Sequence, residues 1–150
     1  MKRTLFAAAA VAALGTVALA QAVVNPAITE RKAILKTFGA AAGDMGKMVR
    51  GEQPFDAAKV KANLMVYIDG TKKLPGLFPD DSKTGGNTEA LPAIWEKKAE
   101  FVAIYAKLGA DAEAADKAIT NVDTLKTEWP KLTANCGTCH KTFRVPPKPQ

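Results

Sequence analysis

Apolar residues recur at steps of three and four through most of the chain, and four stretches with that period are separated by glycine, proline and turn-forming clusters. They predict four helices. The first covers residues 26–50. Asn25 is placed to cap it, Pro26 takes the first helical position, where a missing N–H costs least, and Gly51 ends it. Its inward seam is Ile28, Arg31, Leu35, Phe38, Ala42, Met45 and Val49, with Arg31 as the misfit. The second opens after Pro54 with Asp56 as cap, carries Val60, Leu64, Tyr67 and Leu74 on one face, and stops at Leu74-Pro75.

Residues 75–91 hold Pro79, Asp80, Asp81, Gly85, Gly86 and Asn87, a density of turn formers that predicts a loop without regular structure. The third helix starts at Pro92, turns Ile94, Trp95, Phe101, Val102, Tyr105 and Leu108 inward, and runs to about Lys117 unless Gly109 breaks it. The fourth is capped by Asn121. Val122, Leu125, Trp129, Leu132, Cys136, Cys139 and Phe143 follow one another at steps of three and four, Pro130 should kink the helix, and the proline-rich tail after Arg144 cannot continue it. No strand pattern appears. Four similar helices with short connections, except one, predict an all-α, antiparallel up-down-up-down four-helix bundle.

The N-terminus is patterned differently. Lys2 and Arg3 precede an apolar run from Leu5 to Leu19, and Ala18-Leu19-Ala20 fits a small-x-small cleavage site. Residues 1–20 therefore read as a cleaved signal peptide and 21–150 as one bundle domain. An uncleaved anchor is the alternative, for which the run is short and wrongly flanked. Removing Lys2 and Arg3 lowers the formal net charge from +6 to +4. The remaining lysines are scattered among acids, so no basic stripe supports nucleic-acid binding, and no stable membrane insertion is expected after cleavage.

Cys136-Gly137-Thr138-Cys139-His140 carries the chemistry. A Cys-x-x-Cys-His run reads as a c-type haem attachment site, with two thiols for one porphyrin and an adjacent imidazole for the iron. A thioredoxin-like dithiol would need a βαβ setting, structural zinc about four ligands, and a disulfide across two residues would be strained and close almost no loop. Export agrees with haem attachment outside the bacterial cytoplasm and predicts a periplasmic protein. His140 is the only histidine and no methionine follows it, so the chain offers no second imidazole. Met45 lies about 15 Å along the first helix from Leu35 and Met65 about 13 Å from the haem end of the second; with Met48 they read as core.

The Arg-x-x-x-Leu step from Arg31 to Leu35, Gly51-Glu52-Gln53-Pro54-Phe55-Asp56, Pro92-Ala93-Ile94-Trp95 and the terminal Cys-x-x-Cys-His-x-x-x-Arg together resemble the class II cytochromes c, the cytochrome c′ family. That family is itself a standing example of the up-down-up-down bundle. The resemblance implies one covalent haem c near the C-terminus on Cys136 and Cys139, with His140 as axial ligand. It also implies that Leu35 occupies the position over the open face of the iron, which is Leu in five-coordinate members and Met in the low-spin, six-coordinate branch.

The implied distal pocket is apolar and has no base, acid or hydrogen-bond donor, so no enzyme is expected. Family resemblance adds binding of nitric oxide and carbon monoxide, single-electron exchange with redox partner proteins, and a homodimer through the first two helices. The alternative is a low-spin electron carrier resembling cytochrome c-556. Arg31 calls for an anion such as a haem propionate, or else reaches solvent. Arg144 either lies at the proximal face of His140 or is a surface cation at a helix end.

Overall fold

The computed structural model describes residues 24–147, so the signal-peptide assignment to 1–20 and the last three residues of the tail lie outside the described residues. Four long helices, α1 (Pro26–Val49), α2 (Ala57–Lys73), α4 (Lys98–Ala118) and α5 (Val122–Phe143), form an antiparallel four-helix bundle, with a single turn, α3 (Ala93–Glu96), ahead of α4. Helix α1 packs on α2 and α5, and α4 packs on the same two from the opposite side. The helix starts are chemically specified. Asn25 Oδ1 accepts from Ala27 N at 2.9 Å, Asp56 Oδ1 accepts from Lys59 N at 3.0 Å, and Asn121 forms a reciprocal box with Thr124. Gly51, at φ +73°, takes the left-handed turn that ends α1.

Three expectations need correction. The 75–91 segment is not wholly irregular: it contains 3-10 turns at Leu74–Leu77 and Asp80–Ser82, the latter closed by Ser82 N donating to Pro79 O at 3.0 Å. The third helix breaks at Lys97, whose φ −118° and ψ 44° are not helical, and Gly109 does not interrupt it. Gly109 instead lets α4 approach α2, because a Cβ there would stand 2.7 Å from Thr71 Oγ1. The inward seams were also too narrow. In α1 the core takes Ala41 and Met48 in addition to Ile28, Phe38 and Met45, whereas Leu35, Met65 and Val102 are exposed. A bundle helix touches two neighbours, so its buried stripe is wider than one seam. Met65 is not a core methionine.

The long connection is fastened at both ends of its course. Ala90 and Arg144 form an antiparallel bridge, Leu91 N donates to Phe143 O at 3.0 Å, and Val145 N donates to Glu89 O at 2.8 Å. The loop thus closes against the end of the helix that carries the Cys-x-x-Cys-His run.

Gly109→Ala should lower stability by about 1–2 kcal/mol, since the overpacking cost exceeds the helix-propensity gain. Gly43→Ala, whose Cβ meets nothing within 4 Å, should raise it by about 0.5–1 kcal/mol. Denaturant melts of the two variants, expected to move in opposite directions, check the close α2–α4 approach.

Candidate haem-binding site

Toward the end of the bundle where α1 begins and α5 finishes lies a cavity of about 550 Å³, within the range of about 300–1,000 Å³ usual for cofactor sites. Arg31, Leu35, Cys136, Cys139, His140 and Arg144 all line it. The antiparallel order brings these six together from opposite ends of the chain. Aromatic rings make the deeper wall: Phe101 meets Phe78 at 4.7 Å, Tyr105 at 5.0 Å and Phe143 at 5.2 Å, each edge to face.

Helix α5 is held in register beside this wall by a buried amide. Asn135 Nδ2 donates to Asp111 Oδ2 at 2.7 Å, and the same carboxylate accepts from Lys107 Nζ at 2.6 Å. The next residue, Cys136, and then Cys139 are half-buried free thiols. Burial pushes both thiols up, Cys139 to about 11 with the neighbouring Cys136 adding to the effect. Reactive dithiols depend on depressed values, so this pair is poorly suited to thiol–disulfide exchange.

His140 lies on the exposed side of the cavity rather than in the bundle interior. Burial of part of its ring and the nearby Arg144 cation lower its pKa, with Glu89 acting in the opposite sense. A neutral imidazole is the form that can donate to iron.

Arg31 is 2% exposed, against the expectation that it reaches solvent. It does not reach solvent, and neutral oxygens satisfy it. One terminal nitrogen donates to Leu77 O at 3.1 Å and Ser82 Oγ at 2.8 Å; the other donates to Ser82 O at 2.9 Å and Thr88 Oγ1 at 2.8 Å. The guanidinium carbon also sits 4.5 Å from the Phe78 ring centre. An anion is therefore not needed to keep Arg31 buried, although the side chain still borders the cavity.

Leu35, 38% exposed, faces the cavity instead of a packed neighbour. Arg144 ion-pairs with Glu89 at 2.8 Å. Met45 and Met48 are buried in the core, and neither they nor Met65 line the cavity. Among the described residues no cluster of His, Cys, Asp and Glu could hold a free metal ion.

A planar apolar cofactor with two thioether positions and one imidazole ligand fits this donor set: two adjacent thiols, one histidine and an aromatic-aliphatic wall. The family model for cytochrome C' matches residues 26–144. The chain belongs to the cytochrome c′ family. Cytochrome c′ of Rhodopseudomonas palustris is 48% identical over 118 residues, covering 79% of this chain and 81% of that protein. A cytochrome c-556 of Agrobacterium fabrum is 39% identical over 122 residues, covering 79% and 80%. The solved structure of the R. palustris cytochrome c′ superposes with a TM-score of 0.80 at 46% identity, covering 83% of this chain and 99% of that one. As a cytochrome c′ family member the chain is a c-type cytochrome that binds haem c covalently.

Several site residues escaped the sequence reading. Phe78, Glu89 and Thr88 belong to the long connection, whose composition signals only turns. Asn135 had a signal, a polar side chain one residue before the first thiol, but its partner Asp111 becomes visible only in three dimensions. The pocket also contains donors, among them the phenols of Tyr67 and Tyr105 and the ammonium groups of Lys32 and Lys36.

Arg31→Met should cost about 2–4 kcal/mol, because it strips the charged donor from four loop oxygens and leaves buried ones unsatisfied. Arg31→Lys should recover only part, as an ammonium cannot span the same oxygens. Urea unfolding of the three proteins checks the order, wild type above Lys above Met.

Proposed function

We propose that this cytochrome c′ family member binds small neutral gases, nitric oxide and carbon monoxide, at a haem iron held by His140 alone. Cys136 and Cys139 each form a thioether, and Leu35 crowds the open face. Haem supplies, when bound, an iron that cycles between ferrous and ferric states and an open coordination position. The chain's residues supply the selectivity.

Leu35 carries no lone pair, so it limits access without ligating. Phe101, Phe143 and Leu108 keep the cavity apolar and disfavour charged ligands. The carboxylate at the cavity, Glu89, is committed to Arg144, which leaves no general base and supports reading the protein as a binding and single-electron module, not an enzyme. Glu89 also holds Arg144 beside His140, in keeping with a proximal role for that cation.

The observation that carries this reading is the donor inventory of the cavity: His140 lines it, and Met45, Met48 and Met65 do not. The reading extends to export through the 1–20 signal peptide and action in the periplasm with redox partner proteins. No helix among the described residues is long and apolar enough to cross a membrane. A homodimer through α1 and α2 completes it, supported by the exposed Met65 on α2. A second reading, a low-spin electron carrier, is favoured by the 39% identity to cytochrome c-556 and requires a sixth ligand from the chain.

Purified holoprotein should keep its haem in acidified organic solvent. Its ferrous form should bind carbon monoxide and nitric oxide, and Leu35→Ala should speed carbon monoxide entry about tenfold or more, the effect of removing roughly 1.4 kcal/mol of barrier. Stopped-flow mixing measures this. A ferrous spectrum untouched by carbon monoxide overturns the gas-binding reading in favour of the electron carrier.

A further inference from the structure

The two buried tyrosines of the bundle are not equivalent. Tyr67 is 2% exposed and its hydroxyl donates to Phe38 O at 2.9 Å, so its hydrogen-bonding capacity is used inside the protein. Tyr105 is 5% exposed, yet its hydroxyl has no hydrogen-bond partner among the described residues. Asn63 Nδ2 is the only fully occluded side-chain polar atom among them that lacks a partner, so the Tyr105 hydroxyl is not sealed in packed protein. It opens onto space.

That space is the haem cavity. Tyr105 lines it, and the phenol lies within electrostatic reach of Cys139, Arg31 and Cys136, which line the same cavity. Its other border is a groove between α2 and α4, where Gly109 and Thr71 pack closely, and there Thr71 Oγ1 is committed to Ile68 O at 3.1 Å. The ring is not free to turn away, because Phe101 meets it edge to face at 5.0 Å and 89°. Burial raises the phenol's pKa well above its ordinary value, so the proton stays on the oxygen at any working pH. A nine-tenths buried donor left open toward an apolar cavity is costly unless something entering the cavity accepts from it.

We propose that the Tyr105 hydroxyl, left without a partner among the described residues, donates a hydrogen bond to an oxygen acceptor that enters this cavity. Two groups present such an oxygen: a carboxylate of the cofactor, and the outer atom of a bound diatomic gas. The second source rests on the gas-binding reading above; the first does not. In either case Tyr105 acts as a positioning residue that selects for an acceptor on the aromatic side of the cavity, beside Phe101.

Holoprotein carrying Tyr105→Phe tests this, with Tyr67→Phe as control. The Phe variant loses a hydroxyl that makes no bond within the described protein, so its fold should persist. If the acceptor is the bound gas, the infrared C–O stretch of the ferrous carbon monoxide complex should rise in Tyr105→Phe. Carbon monoxide release should then quicken about two- to tenfold, as expected for the loss of one hydrogen bond. If the acceptor is a carboxylate, that stretch stays put, and the curve of midpoint potential against pH in gas-free protein moves to higher pH. Tyr67→Phe should move neither readout. Should Tyr105→Phe leave both unchanged, or Tyr67→Phe alter them equally, the proposal is overturned. Wild-type protein that binds no carbon monoxide would refute the gas-binding reading, while the potential curve would still decide the role of Tyr105.

Discussion

A guanidinium buried among neutral protein oxygens organises the working end of this bundle. Arg31 sits one turn into α1, and its four hydrogen bonds all end on the connection between α2 and α3. That connection is rich in turn formers, with Leu74 and Phe78 as its buried apolar anchors. Bound to Arg31 at one side and bridged to Arg144 at the other, it becomes a wall. Each hydrogen bond from a charged donor contributes about 1.5–3 kcal/mol, which offsets the cost of removing the cation from water. Neutral acceptors and the Phe78 face do what a carboxylate would otherwise have to do.

The cavity's chemistry depends on the same arrangement. The thiols of α5 and the single imidazole share a cavity with aromatic and aliphatic surface from Phe38, Phe78, Phe101, Leu108 and Phe143. Such a site favours a large planar apolar cofactor. The buried Asn135–Asp111 contact keeps α5 from sliding along α4, which fixes where the two thiols stand. In the proposed reading, selectivity is a matter of exclusion by Leu35 and of the unpartnered Tyr105 phenol.

Much of this is legible in the sequence, for identifiable reasons. Caps at Asn25, Asp56 and Asn121 are local chemistry, and local chemistry is what a sequence displays. The Cys-x-x-Cys-His run is equally local. Its position near the C-terminus, combined with an up-down topology, is enough to set it level with Arg31 and Leu35. The behaviour of the turn-rich connection is not legible, because its structure is imposed from outside by Arg31 and by the bridge to Arg144. The continuity through Gly109 escapes for a related reason: it depends on what α2 places opposite it. Leu35 is expected on the inward seam and lines the haem cavity, a distinction between packed neighbour and cavity wall that periodicity cannot express. Arg31 shows the limit most clearly, as the sequence reveals a buried charge and not the neutral oxygens that satisfy it.

The central claim is that His140 is the one iron ligand this protein supplies. Resonance Raman spectroscopy of the ferrous holoprotein, with no gas added, tests it most directly, because an iron–histidine stretch is observed when a ferrous haem has histidine alone on its axis. Ligation by His140 alone predicts that band together with the marker frequencies of a five-coordinate, high-spin iron. Low-spin, six-coordinate markers without the band would contradict it.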